Sequence, residues 1–331
     1  MSTATQITSL NRPGLGIALI CAGVVGISIN DMLIKLLSDG YPLHQIVATR
    51  SAVGLCIILV MLQIEGGWRL LRSNTPWLHL ARGVLVVLAN MTFYASVAVM
   101  PLGQATALFF VAPLFITLLS VPLLGEKVGP WRLGAVCVGF CGVVIMQQPW
   151  AETSGGARLV LLLPVLSALL YALLQVLTRK LGVTSRASAL AVHLQLMFLV
   201  VSAGFYLVAG DGRYMDAFDS DAARFLLRPW VLPSGQDMLV FLGLGCISGF
   251  VGYALSASYR MADAAVIAPF EYIGLPMAIF WGWTMFGEWP APATWAGCAL
   301  IVGAGLVVFL RERAKARPQP GRRRGSTAVR R

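Results

Sequence analysis

Charge is scarce in this chain. Asp, Glu, Lys and Arg make up only 12% of its 331 residues, while 58% are hydrophobic, and the mean hydropathy is +0.78. A soluble fold of this length could not cover its surface with so few charges, so its main solvent must be lipid. Paired cysteine motifs are missing too. Cys21, Cys56, Cys137, Cys141, Cys246 and Cys298 all fall in apolar stretches without a Cys-x-x-Cys pair, which argues against a secreted disulfide framework. Cys137 and Cys141 share a helix face but have no neighbouring His or carboxylate, so no metal and no cofactor is expected. Catalytic signatures are equally absent. There is no Gly-x-x-x-x-Gly-Lys-Ser/Thr loop, no His-Glu-x-x-His and no Gly-x-Ser-x-Gly, so neither ATP-driven transport nor an enzyme is expected. Short alternating segments, the mark of an outer-membrane barrel, are also lacking. The first apolar stretch is too long for a signal-peptide core and has no small-residue cleavage site after it.

What is present is a series of apolar runs, each near the ~20 residues that span a bilayer. Ten are predicted, at 14–37, 42–63, 76–97, 101–124, 130–148, 158–180, 187–209, 236–258, 263–287 and 291–310. The expected fold is an all-α polytopic membrane protein. Lys and Arg placement sets the orientation. With the N-terminus inside, the inner loops hold Arg69, Arg72, Lys127, Arg132, Arg179, Lys180, Arg186 and Arg260, and the opposite loops hold few basic residues. The tail from Arg311 carries nine basic residues against Glu312, a net +8 of the chain's +11. That concentration removes the case for nucleic-acid binding by the body and reads as a topology anchor on anionic lipid, with a regulatory tail as the alternative. Both termini are expected in the cytoplasm. The long acidic loop Asp211–Gln236, with Phe225, Leu226, Leu227 and Trp230, reads as an interfacial cover, with a gating role as the alternative.

Two stretches repeat one another. "APLFITLLSVPLLGE" at 112–126 and "APFEYIGLPMAIFWGWTMFGE" at 268–288 each join an apolar helix containing Pro (Pro113, Pro276) to a Gly-Glu corner (Gly125-Glu126, Gly287-Glu288), and a Gly-rich helix follows. The offset is close to half the chain. Five spans per half is an odd number, so the halves must be inverted, and only the first corner has basic neighbours. The predicted organisation is a tail at 1–13, a first repeat at 14–150, a linker at 151–157, a second repeat at 158–310 and a basic tail at 311–331. Inverted repeats with corresponding broken helices mark secondary transporters and point to the binding site.

With these features the chain resembles the EamA family of the drug/metabolite transporter superfamily, over about residues 14–310. The resemblance implies a bacterial inner-membrane carrier with a central cavity between the halves. It implies a small-molecule substrate without saying which.

Ionisable groups inside spans are costly and face a cavity or a partner. Asp31 can pair with Lys35 one turn on or, if Lys35 snorkels away, serve as a cation, proton or amine site. Glu271 lies beside Pro276, where the backbone is disturbed, and can exchange a proton or bond to Arg50 or Arg82. Arg82, Asn90 and Tyr94 read as a polar stripe for a carboxylate-bearing or planar ligand. Tyr171 and Gln175, and Tyr253 and Ser256, form similar faces on two further helices. His193 reads as a hydrogen-bonded interior residue, with proton relay as the alternative. Glu126 and Glu288 are expected to cap the helices that follow them, with gating contacts as the other reading. Ala135-x-x-x-Gly139 and Ala299-x-x-x-Gly303 permit close helix approach, either between the halves or in a homodimer. The substrate expected from these groups is an amino acid or a related zwitterionic or aromatic metabolite, moved by efflux or exchange. An uptake carrier for a vitamin, nucleoside or cofactor-like metabolite is the alternative, and a non-transporting membrane sensor is the rival from another class.

Overall fold

The computed structural model describes residues 13–72, 76–125, 129–148, 150, 160–181, 187–215, 220–261 and 270–316. The helices are α1 (Pro13–Leu37), α2 (Leu43–Glu65), a 3-10 turn (Trp68–Leu71), α3 (Pro76–Val97), α4 (Leu102–Phe109), α5 (Ala112–Leu124), α6 (Pro130–Gln147), α7 (Leu163–Leu181), α8 (Ala187–Ala209), α9 (Asp221–Leu227), α10 (Gly235–Met261), α11 (Gly274–Phe286) and α12 (Pro292–Ala316). No strand occurs among the described residues. Seven described helical stretches are long and apolar enough to cross a bilayer, α4 and α5 together forming one of them. Leu133–Gln147 and Leu163–Leu177 are shorter apolar helices. This is a multi-pass membrane protein.

Pro113 and Pro276 do not kink their helices. The fourth apolar run breaks at Phe110 and Val111, and the later one at Tyr272 and Ile273, so Pro113 and Pro276 fall in the first turns of α5 and α11. A missing N–H costs nothing there, because those amides have no intrahelical acceptor. Both helices are 13 residues long, and both end on a left-handed glycine, Gly125 at φ 71° and Gly287 at φ 67°.

The helices pack reciprocally. The pairs α1–α10, α2–α10 and α1–α11 have counterparts in α7–α3, α8–α3 and α7–α5, and α2–α8, α4–α11 and α6–α12 close the set. In lipid, association depends on close packing rather than on apolar burial. The α6–α12 contact meets that need: a Cβ on Gly142 would lie 2.9 Å from the Gly297 carbonyl oxygen. Gly139 also packs here, against Leu114 and Ala304. Of the two readings of Ala299-x-x-x-Gly303, packing within the chain is corrected. Ala299 is exposed and Gly303 faces open space, so Gly297 and Ala304 make the contact. The core beneath is Leu102, Leu108, Val111 and Leu114 against Leu275, Ile279 and Ile301.

Lys35, near the end of α1, contacts Glu288, just ahead of α12. Pro13 and Ala316 therefore lie at the opposite, shared end of the bundle. Exposed tryptophans mark both ends, Trp68, Trp77 and Trp131 at one and Trp283, Trp289 and Trp295 at the other, as expected at lipid–water interfaces. The acidic loop, expected as an interfacial cover, is sewn inward where it is described. Phe225 of α9 is fully buried beside Ile34 and Phe241. Gln45 exchanges two hydrogen bonds with Val231 (2.6 and 3.1 Å), the Tyr41 hydroxyl donates to Asp237 (2.6 Å), and Arg228 donates to the carbonyls of Ser38 and Asp39. The bond to the Asp237 carboxylate raises the Tyr41 phenol above its usual pKa of 10.

Candidate functional site

A cavity of ≈ 460 Å³ lies between the helices of the two halves, within the range of about 300–1,000 Å³ common for small-molecule sites. Its polar end is built from three helices. Asn30 and Asp31 come from α1, Arg50 from α2 and Tyr94 from α3, and all four are buried. The Tyr94 hydroxyl donates to Asp31 Oδ1 (2.9 Å) and accepts from Asn30 Nδ2 (3.0 Å) and Arg50 Nη1 (3.3 Å). Asn30 also donates to Asp31 Oδ1 (3.2 Å) and accepts from Arg50 Nη1 at 3.4 Å. The guanidinium lies between the Tyr94 and Phe198 rings, 5.6 and 5.4 Å from their centroids, and its Nε is buried with no hydrogen-bond partner among the described residues. A charge this deep in a membrane protein persists because carboxylate, hydroxyl, amide and ring faces replace water.

An aromatic wall extends from this cluster. Tyr94, Phe93, Phe109 and Tyr171 follow one another with ring centroids 5.4 Å apart at each step. They bridge α3, α4 and α7 through edge and tilted contacts, the arrangement aromatic quadrupoles favour. Gln175 donates to the Tyr171 hydroxyl (2.7 Å). Asn90, Gln195, Ser167 and Glu271 add to the polar lining, with Ser28, Thr106 and Ser248.

Of the sequence candidates, Asp31, Arg50, Asn90, Tyr94, Tyr171 and Glu271 therefore share one cavity. Gln175 touches it through Tyr171. Arg82 does not line it: it shares a face of α3 with the lining residues Val86 and Phe93, but it lies about 12 Å along the axis from Asn90, so the expected Arg–amide–aromatic stripe divides. Its Nε and Nη1 are buried without hydrogen-bond partners among the described residues. His193 is away from the cavity as well. It stacks on His79 at 4.8 Å and bonds through Nδ1 to the Ala189 carbonyl (2.7 Å). Tyr253 is 46% exposed on the outer face of α10. The Ser256 side chain lies outside the described residues, as do Glu126, Pro269, the linker at 151–157 and the side chains of Arg132, Arg179 and Arg260. Gln195 was not singled out from sequence, although a lone amide amid the apolar residues of α8 is a signal for it.

Two sequence pairings are corrected. Lys35 does not bond to Asp31. Its Nζ contacts Glu288 Oε1 at 2.5 Å and donates to the Met100 carbonyl at 2.9 Å, over the Phe286 ring at 5.1 Å. Nor does Glu288 cap the helix that follows it. Its Oε2 accepts from the Leu102 amide (3.0 Å), the first residue of α4. An in-helix partner one turn away lost to a carboxylate 253 residues distant, because the second lies where three helix ends leave backbone groups unsatisfied.

Comparison with known proteins agrees with this architecture. The model of the EamA-like transporter family matches residues 14–148. The riboflavin transporter of Rhizobium johnstonii is 35% identical over 76% of each chain. The S-adenosylmethionine uptake transporter of Rickettsia prowazekii is 25% identical over 90% of this chain and 93% of that protein. A protein of solved crystal structure superposes with a TM-score of 0.59 at 19% identity, covering 89% of this chain and 99% of that one, a likeness of fold. With membrane helices around one central cavity and a relative this similar over three quarters of its length, the chain belongs to the EamA-like transporter family.

Proposed function

We propose that this protein is a secondary carrier of the bacterial inner membrane, with ten spans in two inverted five-helix halves and both termini in the cytoplasm. It alternates access to the central cavity and takes up a cofactor-like metabolite built on a planar heteroaromatic ring. The observation that carries the reading is the cavity itself. A continuous aromatic wall from Tyr171 to Tyr94 ends on a buried guanidinium flanked by two rings, with amide and hydroxyl groups around it. Such a surface receives a flat, polar-edged ring by stacking and hydrogen bonding. The reciprocal packing of α1–α10 with α7–α3, and the matched 13-residue helices with their glycine caps, support the inverted halves. The two named relatives are transporters of riboflavin and of S-adenosylmethionine, compounds that each contain a nitrogen heteroaromatic ring. The expectation of a free zwitterion has less support, because Asp31 and Arg50 already bond to protein groups.

The test is a binding titration of riboflavin, S-adenosylmethionine, nucleosides and amino acids to the protein in nanodiscs, followed by counterflow in proteoliposomes. Saturable binding and counterflow of a ring compound are expected. An amino acid that binds while no ring compound does overturns the substrate class. Absence of counterflow for every binder overturns the carrier reading.

A further inference from the structure

The Lys35–Glu288 contact lies one turn beyond the polar end of the cavity. Lys35 is one helical turn beyond Asp31 on α1, and Leu102 is one turn before Thr106 on α4; Asp31 and Thr106 both line the cavity. Lys35 and Glu288 thus roof the polar cluster about 6 Å above it, the rise of one turn. The roof joins the halves. Lys35, the Met100 carbonyl and the Leu102 amide belong to the first, and Glu288 to the second. The pair is largely withdrawn from solvent, with side chains 11% and 22% exposed. The acidic loop crosses the same end, tying residues 226–237 to Tyr41 and to the first turn of α2. Both carboxylate oxygens are engaged, one by an ammonium and one by the first amide of α4, so the contact fixes a helix start as well as a charge.

We propose that Lys35, Glu288 and the Leu102 amide form the gate of the transport cycle at the end of the bundle opposite the termini. The gate is closed in this structure and opens when the second half tilts away from the first. The proposal rests on the alternating-access reading above. It names the contact whose loss shifts the balance between closed and open states, since any interaction made in only one state biases the equilibrium towards that state.

Two experiments test it, both with the six native cysteines replaced by alanine. The first needs no transport. Thr106→Cys places a thiol in the cavity one turn below the gate, and its labelling by an impermeant maleimide is timed in nanodiscs. Lys35→Gln and Glu288→Gln are each expected to speed labelling about tenfold, the population change that loss of a closed-state contact of that order brings. The double substitution is expected to add little beyond either single one, because both remove the same contact. Labelling that ignores both substitutions in monodisperse protein, or that responds additively, overturns the gate.

The second experiment staples the halves. A Cβ on Gly103 of α4 would lie 3.7 Å from Cβ of Ile279 on α11, within the span of a disulfide. Gly103→Cys with Ile279→Cys is expected to lose riboflavin counterflow when oxidised and to regain it on reduction. Counterflow that persists in the oxidised protein overturns the gate. If labelling responds as expected but unsubstituted protein shows no counterflow of any compound, the gate stands and the carrier reading falls.

Discussion

Replacing Tyr94 by Phe removes one oxygen from the molecule and leaves everything else in place. The ring keeps its stacking with Arg50 and its edge contact with Phe93. What disappears is a donor to the Asp31 carboxylate at 2.9 Å and an acceptor for Asn30 and Arg50 at 3.0 and 3.3 Å. A hydrogen bond to a charged group is worth about 1.5–3 kcal/mol net. The three losses do not sum, because Asn30 still donates to Asp31 and accepts from Arg50. A destabilisation of about 2–3 kcal/mol is therefore expected, most of it from the carboxylate bond. Unfolding in mixed detergent micelles measures it. Tyr253→Phe, at a half-exposed hydroxyl on the outer face of α10, is the internal control, expected within about 0.5 kcal/mol of the unsubstituted protein. Ligand affinity is expected to fall with Tyr94→Phe and to hold with Tyr253→Phe. If the two variants unfold alike, the cluster does not stabilise the fold as its geometry implies and the reasoning is refuted.

Gly142→Ala drives a methyl group against the Gly297 carbonyl and is expected to cost about 1–3 kcal/mol through overpacking, read by the same unfolding assay; Gly303→Ala, facing open space, is expected to be neutral. Glu271→Gln is expected to remove stimulation of uptake by a proton gradient while counterflow continues, since the carboxylate lines the cavity and only its charge is deleted; unchanged stimulation places proton exchange elsewhere. The Tyr41–Asp237 bond is expected to hold at neutral pH. A phenol raised by its partner stabilises the fold below its unfolded pKa of about 10 and loses that contribution as pH climbs through the higher folded value. Comparing the alkaline unfolding of Tyr41→Phe with that of the unsubstituted protein checks this, and identical profiles would contradict it.

Much of the helical framework was readable in advance, because an unbroken apolar run in a membrane protein has few alternatives to a spanning helix. The predicted 76–97 and 187–209 match α3 and α8 residue for residue. The breaks were approached but misplaced. Pro113 and Pro276 drew attention, yet the chain interrupts itself two to four residues earlier, since proline is comfortable in a first turn. Asp31, Arg50 and Glu271 could be found because a charge buried among apolar neighbours needs company, and the cavity supplies it. Tyr253 misled because a tyrosine tolerates lipid along its ring, so aromatic spacing does not reveal which way a helix faces. Arg82 misled through distance, since it shares a face of α3 with Val86 and Phe93 but lies a turn beyond the first of the lining residues. Lys35 and Glu288 were each noticed, but their union needed the fold, since nothing local links positions 253 apart.

Gly287 adds a mechanical consequence. With φ at 67°, it turns the chain so that its own N–H returns to Trp283 and that of Glu288 to Gly282 (2.9 Å). Glu288 is thereby bolted to α11 by its backbone, with little slack for its short side chain to follow a departing partner. Any displacement of α11 then passes almost undiminished to the carboxylate, and a shift of about 2 Å carries an ion pair from contact past the usual 4 Å limit. The glycine makes the contact behave as a threshold rather than a spring, so that a gradual tilt of one half is read as engaged or released.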